Sequence, residues 1–147
     1  RKKDYGTGID ISKKSINVSK INAKLLNLSN RTKFFHSSID NFNIGKYDLI
    51  VSNPPYIELL NLKYLEKDVV NFEPKLALNG GLDGFSKIKT VIFKASSLIK
   101  KKGKLILEIG FNQKDKVKEM LKKQGFYVNH TFRDHGNNDR CIISTKI

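Results

Sequence analysis

The chain has 147 residues, enough for one domain and its core. It is 39% hydrophobic without a long apolar run, which argues against a membrane-spanning helix, and its basic start RKKDYGTGID does not read as a signal peptide. The net charge of +14 invites a nucleic-acid reading without establishing one, and a single cysteine, Cys141, leaves no internal disulfide and no cysteine-based metal site.

In chain order, Tyr5 to Ile11 forms a short strand ending at Asp10, and Ser12 is suited to cap the helix that follows. In that helix Val18, Ile21, Leu25 and Leu28 share one face, and Asn30 closes it. Gly6-Thr7-Gly8 precedes Asp10 without a strand before it, so it belongs to the strand and is not a phosphate-cradling loop. Lys33 to His36 is a second strand. Tyr47 to Ser52 is a third, apolar on both faces as in a parallel sheet.

A polar loop and a short helix near Leu62–Lys67 come next, and Pro74 and Gly80-Gly81 punctuate the stretch after it. A helix then starts after Asp83-Gly84 and buries Phe85, Ile88, Ile92, Ala95 and Ile99. The lysines around Gly103 mark a helix-to-strand turn, and Lys104–Ile109 is the next strand. Gln113 to Gln124 is an amphipathic helix packing through Val117, Met120 and Leu121, with Gly125 as its left-handed cap. Two closing strands, Tyr127–Arg133 and Arg140–Lys146, flank the turn-forming run HGNND. Strand–helix alternation with a terminal hairpin defines an α/β fold, mostly parallel with an antiparallel edge.

The stretch SNPPYI at residues 52–57 points to chemistry. Successive prolines cannot continue a sheet, so the chain leaves the third strand at Asn53 in a fixed shape. Asn53 offers a side-chain carbonyl, and Pro54 offers a backbone carbonyl whose direction Pro55 helps to fix. Together they can accept both N–H bonds of a planar –NH2 group, while Tyr56 stacks on the rest of a flat amide or base. Asp10, at a strand's carboxyl end before a helix, is placed to accept hydrogen bonds from ribose hydroxyls, or is an ordinary loop carboxylate. His36, His130 and His135 are scattered without metal or nucleophile spacing. Glu108 and Asp134-His135-Gly136 read as local hydrogen-bonding residues. Most of the basic residues are lysine, which fits a solvated surface and also allows weak contact with RNA or the ribosome.

Taken in order, NPPYI, Phe72-Glu73-Pro74, Ala77-Leu78, Gly80-Gly81, Asp83-Gly84, LEIG with Gln113, and RDHGNNDR resemble the HemK/PrmC family of peptide chain release factor glutamine methyltransferases. That resemblance implies a Rossmann-like class I methyltransferase sheet and S-adenosylmethionine as cofactor, with no metal. The methyl acceptor it implies is the glutamine amide of a Gly-Gly-Gln motif in a class I release factor, in the cytoplasm. Asn53 and the Pro54 carbonyl would hold the amide nitrogen, with Pro55 and Tyr56 lining the acceptor site. Asp10, Ile11, Ser38, Ile39 and Asn53 would face the cofactor.

The family's glycine-rich loop, first strand and N-terminal substrate-recognition domain have no counterpart here. Residues 1–147 therefore read as the C-terminal part of a catalytic domain, in which the strands at Asp10 and Asp48 each show an unpaired edge. The alternatives are a nucleic-acid amino-methyltransferase, since enzymes acting on adenine or guanine share NPPY, and an inactive basic binding fragment.

Overall fold

The computed structural model describes residues 4–64 and 75–147. The motif Phe72-Glu73-Pro74 and the end of the expected helix near Leu62–Lys67 lie outside the described residues; Leu59–Tyr64 is a 3-10 helix. The chain divides into two compact units, Arg1–Asn43 and Ile44–Ile147.

The first unit is a strand–helix–strand repeat. Strand β1 (Gly6–Asp10) runs parallel to β2 (Thr32–His36), with α1 (Lys13–Leu25) as the crossover. Ser12 caps α1 as expected, its hydroxyl accepting from the Ser15 N–H at 3.1 Å. The Gly6-Thr7-Gly8 segment is strand. The helix ends earlier than expected, at Leu25. Asn27 turns the chain with a φ of +56°, and Asn30 sits in a 3-10 turn, Ser29–Arg31. Its buried residues are Ile16 and Ala23, while Val18, Ile21 and Leu25 are 49%, 58% and 74% exposed. The apolar stripe legible in the sequence is thus not the face that packs. Phe35 and the buried Phe42 contribute a tilted ring pair at 5.6 Å.

The second unit is a four-stranded sheet ordered β3-β4-β6-β5, formed by β3 (Tyr47–Ser52), β4 (Ile99–Glu108), β5 (Phe126–Arg133) and β6 (Asp139–Lys146). β3 and β4 are parallel, and the remaining pairs are antiparallel. The one-turn helix α2 (Lys75–Leu78) precedes α3 (Ser86–Leu98), and α4 (Lys114–Lys123) precedes the hairpin.

Ile88, Val91, Ile92, Ala95 and Leu98 of α3, with Val117 and Leu121 of α4, bury against Leu105, Leu107, Phe126 and Ile142. Full burial of such side chains stabilises by roughly 1.5–3 kcal/mol each. Met120, expected in that core, is only partly buried. Gly125 ends α4 with the expected positive φ, +73°.

Two expectations are corrected. The lysines around Gly103 lie inside β4, which starts at Ile99 and not at Lys104. The strand is irregular there: Tyr47 pairs with Ile99 and Leu49 with Lys104, so residues 100–103 bulge opposite Asp48. Gly103 is needed there, because a Cβ would lie 2.8 Å from Ile99 Cγ1 and 2.9 Å from the Lys100 carbonyl. β3 is also not covered on both faces. Leu49 and Val51 are 51% and 67% exposed, because the packed helices lie on the face that carries Leu105 and Leu107.

Among the described residues β1 pairs only with β2, and β3 only with β4. Each leaves one edge unpaired, as expected. No helix among these residues is long and apolar enough to cross a membrane.

Candidate active site

Beyond Ser52 the chain leaves β3 through Asn53 and two prolines, with trans peptide bonds throughout. Asn53 is exposed and Pro54 buried. The loop is then held by a second, very short pairing. Ile57 bridges Asn79, donating to the Leu78 carbonyl at 3.3 Å and accepting from Gly80 at 2.8 Å, and Leu59 donates to Gly81 at 2.9 Å.

Glycines make this approach possible. A Cβ on Gly80 would lie 2.8 Å from the Tyr56 carbonyl carbon, and one on Gly84 would lie 2.7 Å from the Tyr56 carbonyl oxygen. Gly84 also has a φ of +70°, which L side chains rarely adopt. Asp83 closes that turn, its Oδ1 accepting from the Phe85 N–H at 3.0 Å.

Gln113 fixes the loop from below. Its side chain is buried; its Nε2 donates to the carbonyls of Tyr56 and Gly84, both at 3.1 Å, while its Oε1 accepts from the Gly110 N–H at 2.9 Å. The amide orientation is unambiguous, since a flip would set carbonyl against carbonyl.

The Tyr56 hydroxyl donates to Glu108 Oε1 at 3.1 Å, with Arg140 Nη1 3.5 Å away. Burial, reinforced by the Glu108 hydrogen bond and charge, raises the phenol above its ordinary range, against the opposing pull of Arg140. Arg140 is itself clamped by Asp134, whose Oδ2 accepts from Nη2 at 2.9 Å and Nε at 3.1 Å. The Asn138 backbone N–H, followed by Arg140, holds the Asp134 carboxyl below its ordinary value. Burial, then the nearby Glu108 carboxylate, pushes the strand cysteine Cys141 up.

NPPYI, Gly80-Gly81, Asp83-Gly84, LEIG with Gln113, and the RDHGNNDR hairpin thus meet around one tyrosine. Glu108 and Asp134 are hydrogen-bonding residues, as read from the sequence. Gln113 and Arg140 are the residues whose roles were missed. The available signal was a Gln that proves to be buried at the mouth of an otherwise charged helix, and an Arg closing an acidic turn.

The remaining sequence-chosen residues belong to the first unit. Asp10 ends β1, and its Oδ1 accepts from the Ser12 N–H at 2.7 Å. Ile11 is 57% exposed, and its carbonyl accepts from His36 Nε2 at 2.9 Å. Ser37 donates its N–H to the Asp10 carbonyl at 3.0 Å, which sets Ser38 and Ile39 beside the end of β1. Ser38 precedes the 3-10 turn Ile39–Asn41. The structure therefore brings Asp10, Ile11, Ser38 and Ile39 together at neighbouring strand ends. Asn53, Pro54, Pro55 and Tyr56 form their own cluster in the second unit.

The chain belongs to the methyltransferase domain family, whose pattern matches residues 3–143. Among curated relatives it is 40% identical over 139 residues to the release factor glutamine methyltransferase of Buchnera aphidicola subsp. Schizaphis graminum, covering 95% of this chain and 50% of that protein. It is 35% identical over 137 residues to a bifunctional methyltransferase of Rickettsia bellii, covering 92% of this chain and 25% of that protein. The fold matches the ribosomal protein L11 methylase of Lactobacillus delbrueckii subsp. bulgaricus with a TM-score of 0.66 at 19% identity, covering 96% of this chain and 57% of that one. The resemblance drawn from the motifs is borne out by these relatives. The chain spans about half the length of the release factor glutamine methyltransferases it matches in Buchnera.

Proposed function

We propose that this chain is the C-terminal part of a catalytic domain that methylates the side-chain amide of a glutamine, in the Gly-Gly-Gln motif of a peptide chain release factor, using S-adenosylmethionine. The observation that carries the reading is the state of the NPPY loop. Its backbone is immobilised by Gln113 and the glycine contacts, while the Asn53 side chain and the Pro54 carbonyl accept no hydrogen bond among the described residues. Two acceptors without a partner among the described residues, on a loop whose Tyr56 backbone is held, suit the two N–H groups of a primary amide. The relatives named as release factor glutamine methyltransferases support the same choice of substrate.

The first unit's donors and acceptors fit the cofactor. One oxygen of Asp10 is spent on the Ser12 N–H, which orients the carboxylate and leaves Oδ2 for ribose hydroxyls. Ile11 presents apolar surface beside it. When bound, S-adenosylmethionine supplies a methyl group activated by a sulfonium. The work left to the protein is positioning, because an amide nitrogen has a delocalised lone pair and is a poor nucleophile. Asn53 and Pro54 orient that nitrogen through its hydrogens, and the Tyr56 ring walls the acceptor side chain. Ideal orientation of this kind is worth roughly 7–11 kcal/mol.

The unpaired edges of β1 and β3, with the half-length match to relatives, support the reading of a partial domain. Each edge offers backbone groups on which a further strand can pair.

The test is methyl transfer from labelled S-adenosylmethionine by the protein carrying this sequence, offered a release factor, the same factor with its motif glutamine replaced by alanine, and RNA. Label on the intact factor alone supports the proposal. Label on RNA would turn the reading to a nucleic-acid amino-methyltransferase, and label on none would overturn activity at this site.

A further inference from the structure

We propose that Arg140, acting with Glu108, is a positioning residue that fixes the ring of Tyr56 through its hydroxyl; the inference rests on the reading of NPPYI as the methyl-acceptor loop. Gln113 and the glycines hold the backbone of Tyr56, yet a tyrosine ring still turns about two side-chain bonds. Here the far end of the ring is tied as well. The hydroxyl hydrogen goes to Glu108 Oε1 at 3.1 Å, and Arg140 Nη1 stands 3.5 Å from the hydroxyl oxygen. That second distance is long for a hydrogen bond, so the guanidinium acts there chiefly through its charge.

Arg140 can serve as a fixed post because its other donors are committed. Nε and Nη2 clasp Asp134 Oδ2, and Nη1 also donates to the Ile109 carbonyl at 3.3 Å. Asp134 is in turn held by the Asn138 N–H on its other oxygen at 3.0 Å. Glu108 is set by the sheet, where it pairs with Cys141, the neighbour of Arg140. Two adjacent strands therefore supply the carboxylate and the guanidinium that meet one phenol.

The consequence is chemical. With its hydrogen donated to Glu108 and its oxygen facing Arg140, the hydroxyl of Tyr56 is spent within the protein and is not a partner for substrate. What Tyr56 offers the acceptor side chain is a ring face at a set angle, and the terminal hairpin determines that angle. Lysine cannot replace Arg140, since a point charge cannot clasp Asp134 and face Tyr56 with one planar fork.

The experiment is a double-mutant cycle in the protein carrying this sequence, with Arg140→Met, Glu108→Gln and Tyr56→Phe measured by kcat and KM for the acceptor, and by Kd for S-adenosylmethionine. Arg140→Met and Glu108→Gln are each expected to lower kcat about tenfold at unchanged cofactor affinity, with Arg140→Lys failing to restore it. In the Tyr56→Phe background each should cost less than about twofold, because the hydroxyl through which they act is gone. Multiplicative losses in the double variants would overturn the proposal. A second readout needs no turnover: with tyrosines carbon-13 labelled at Cζ, the Tyr56 resonance should move in Arg140→Met and in the conservative Glu108→Gln. An unmoved resonance in both also overturns it. A moved resonance in a protein that methylates no acceptor upholds the tie to the ring and rejects the acceptor-site reading instead.

Discussion

Gln113 Nε2 lies 3.1 Å from the carbonyl oxygen of Tyr56, and this contact joins the mouth of α4 to the proposed acceptor loop 57 positions away. The same nitrogen donates to Gly84 and the paired oxygen accepts from Gly110, so one side chain satisfies three backbone groups. Replacing Gln113 with methionine keeps the bulk and removes every one of these bonds. Stranding a buried polar group costs about 1–3 kcal/mol. Gln113→Met should therefore lower stability by at least that much in urea melts and reduce methyl transfer in parallel. A variant with unchanged stability would mean that water replaces the amide and that the strut is dispensable.

Gly80 and Gly84 let the Tyr56 backbone come close, and the clash their substitution creates is with backbone atoms that have no rotamer to change. Overpacking of this kind typically costs about 1–3 kcal/mol. Gly84→Ala adds strain from its φ of +70°. Both alanine variants should melt at lower temperature and lose methyl transfer. Gly6→Ala is the control, because its nearest neighbour is Thr32 Cγ2 at an ordinary 3.7 Å. Equal melting shifts at Gly6 and Gly80 would remove the close-approach argument.

Much of this was legible in the residues, and the failures share one cause. The hairpin at HGNND, the cap at Ser12 and the buried face of α3 are local patterns, in which neighbours in sequence decide the outcome. The burial of α1 is not local. Val18, Ile21 and Leu25 have the right spacing for a packed face, but Ile16 and Ala23 are what the first unit covers. Periodicity identifies a helix without saying which apolar residues find a partner. Gln113 was noted as part of a motif, but its role as a strut was not readable for the same reason, since its partners lie 57, 29 and 3 positions away. NPPYI was readable because two prolines and an amide constrain the chain where they stand.

Asp10 accepts from the Ser12 N–H with Oδ1, and Oδ2 is the oxygen proposed to meet the ribose. Loss of a hydrogen bond to a charged group costs roughly 1.5–3 kcal/mol. Asp10→Ala should therefore weaken S-adenosylmethionine binding by about one to two powers of ten in calorimetric titration. Asn53→Ala should weaken that affinity less than Asp10→Ala does while lowering kcat about a hundredfold, the scale of a small misplacement of the reacting atoms. Equal effects of the two variants on cofactor affinity would contradict the division of labour proposed for the two units.

Acid should loosen the second unit. Asp83, Asp134 and Asp139 all titrate below the ordinary carboxylate range. The leading causes are the Phe85 N–H for Asp83, the Asn138 N–H for Asp134 and the Lys114 ammonium for Asp139. A carboxylate with a lowered pKa in the fold contributes stability above its unfolded value, about 3.9 for aspartate. That contribution is lost as the pH falls through the folded value. Melting temperature should thus hold from neutral pH down to about 5 and fall below about 4, where the unfolded aspartates take up protons first. Asp134→Asn should flatten part of that fall, because the variant keeps an acceptor oxygen for the Asn138 N–H and has no carboxylate to protonate. It should also loosen Arg140, so a flatter acid limb with reduced kcat at neutral pH is the expected pair of results. An acid limb identical to that of the unmodified protein would show that the hairpin carboxylate does not govern stability there.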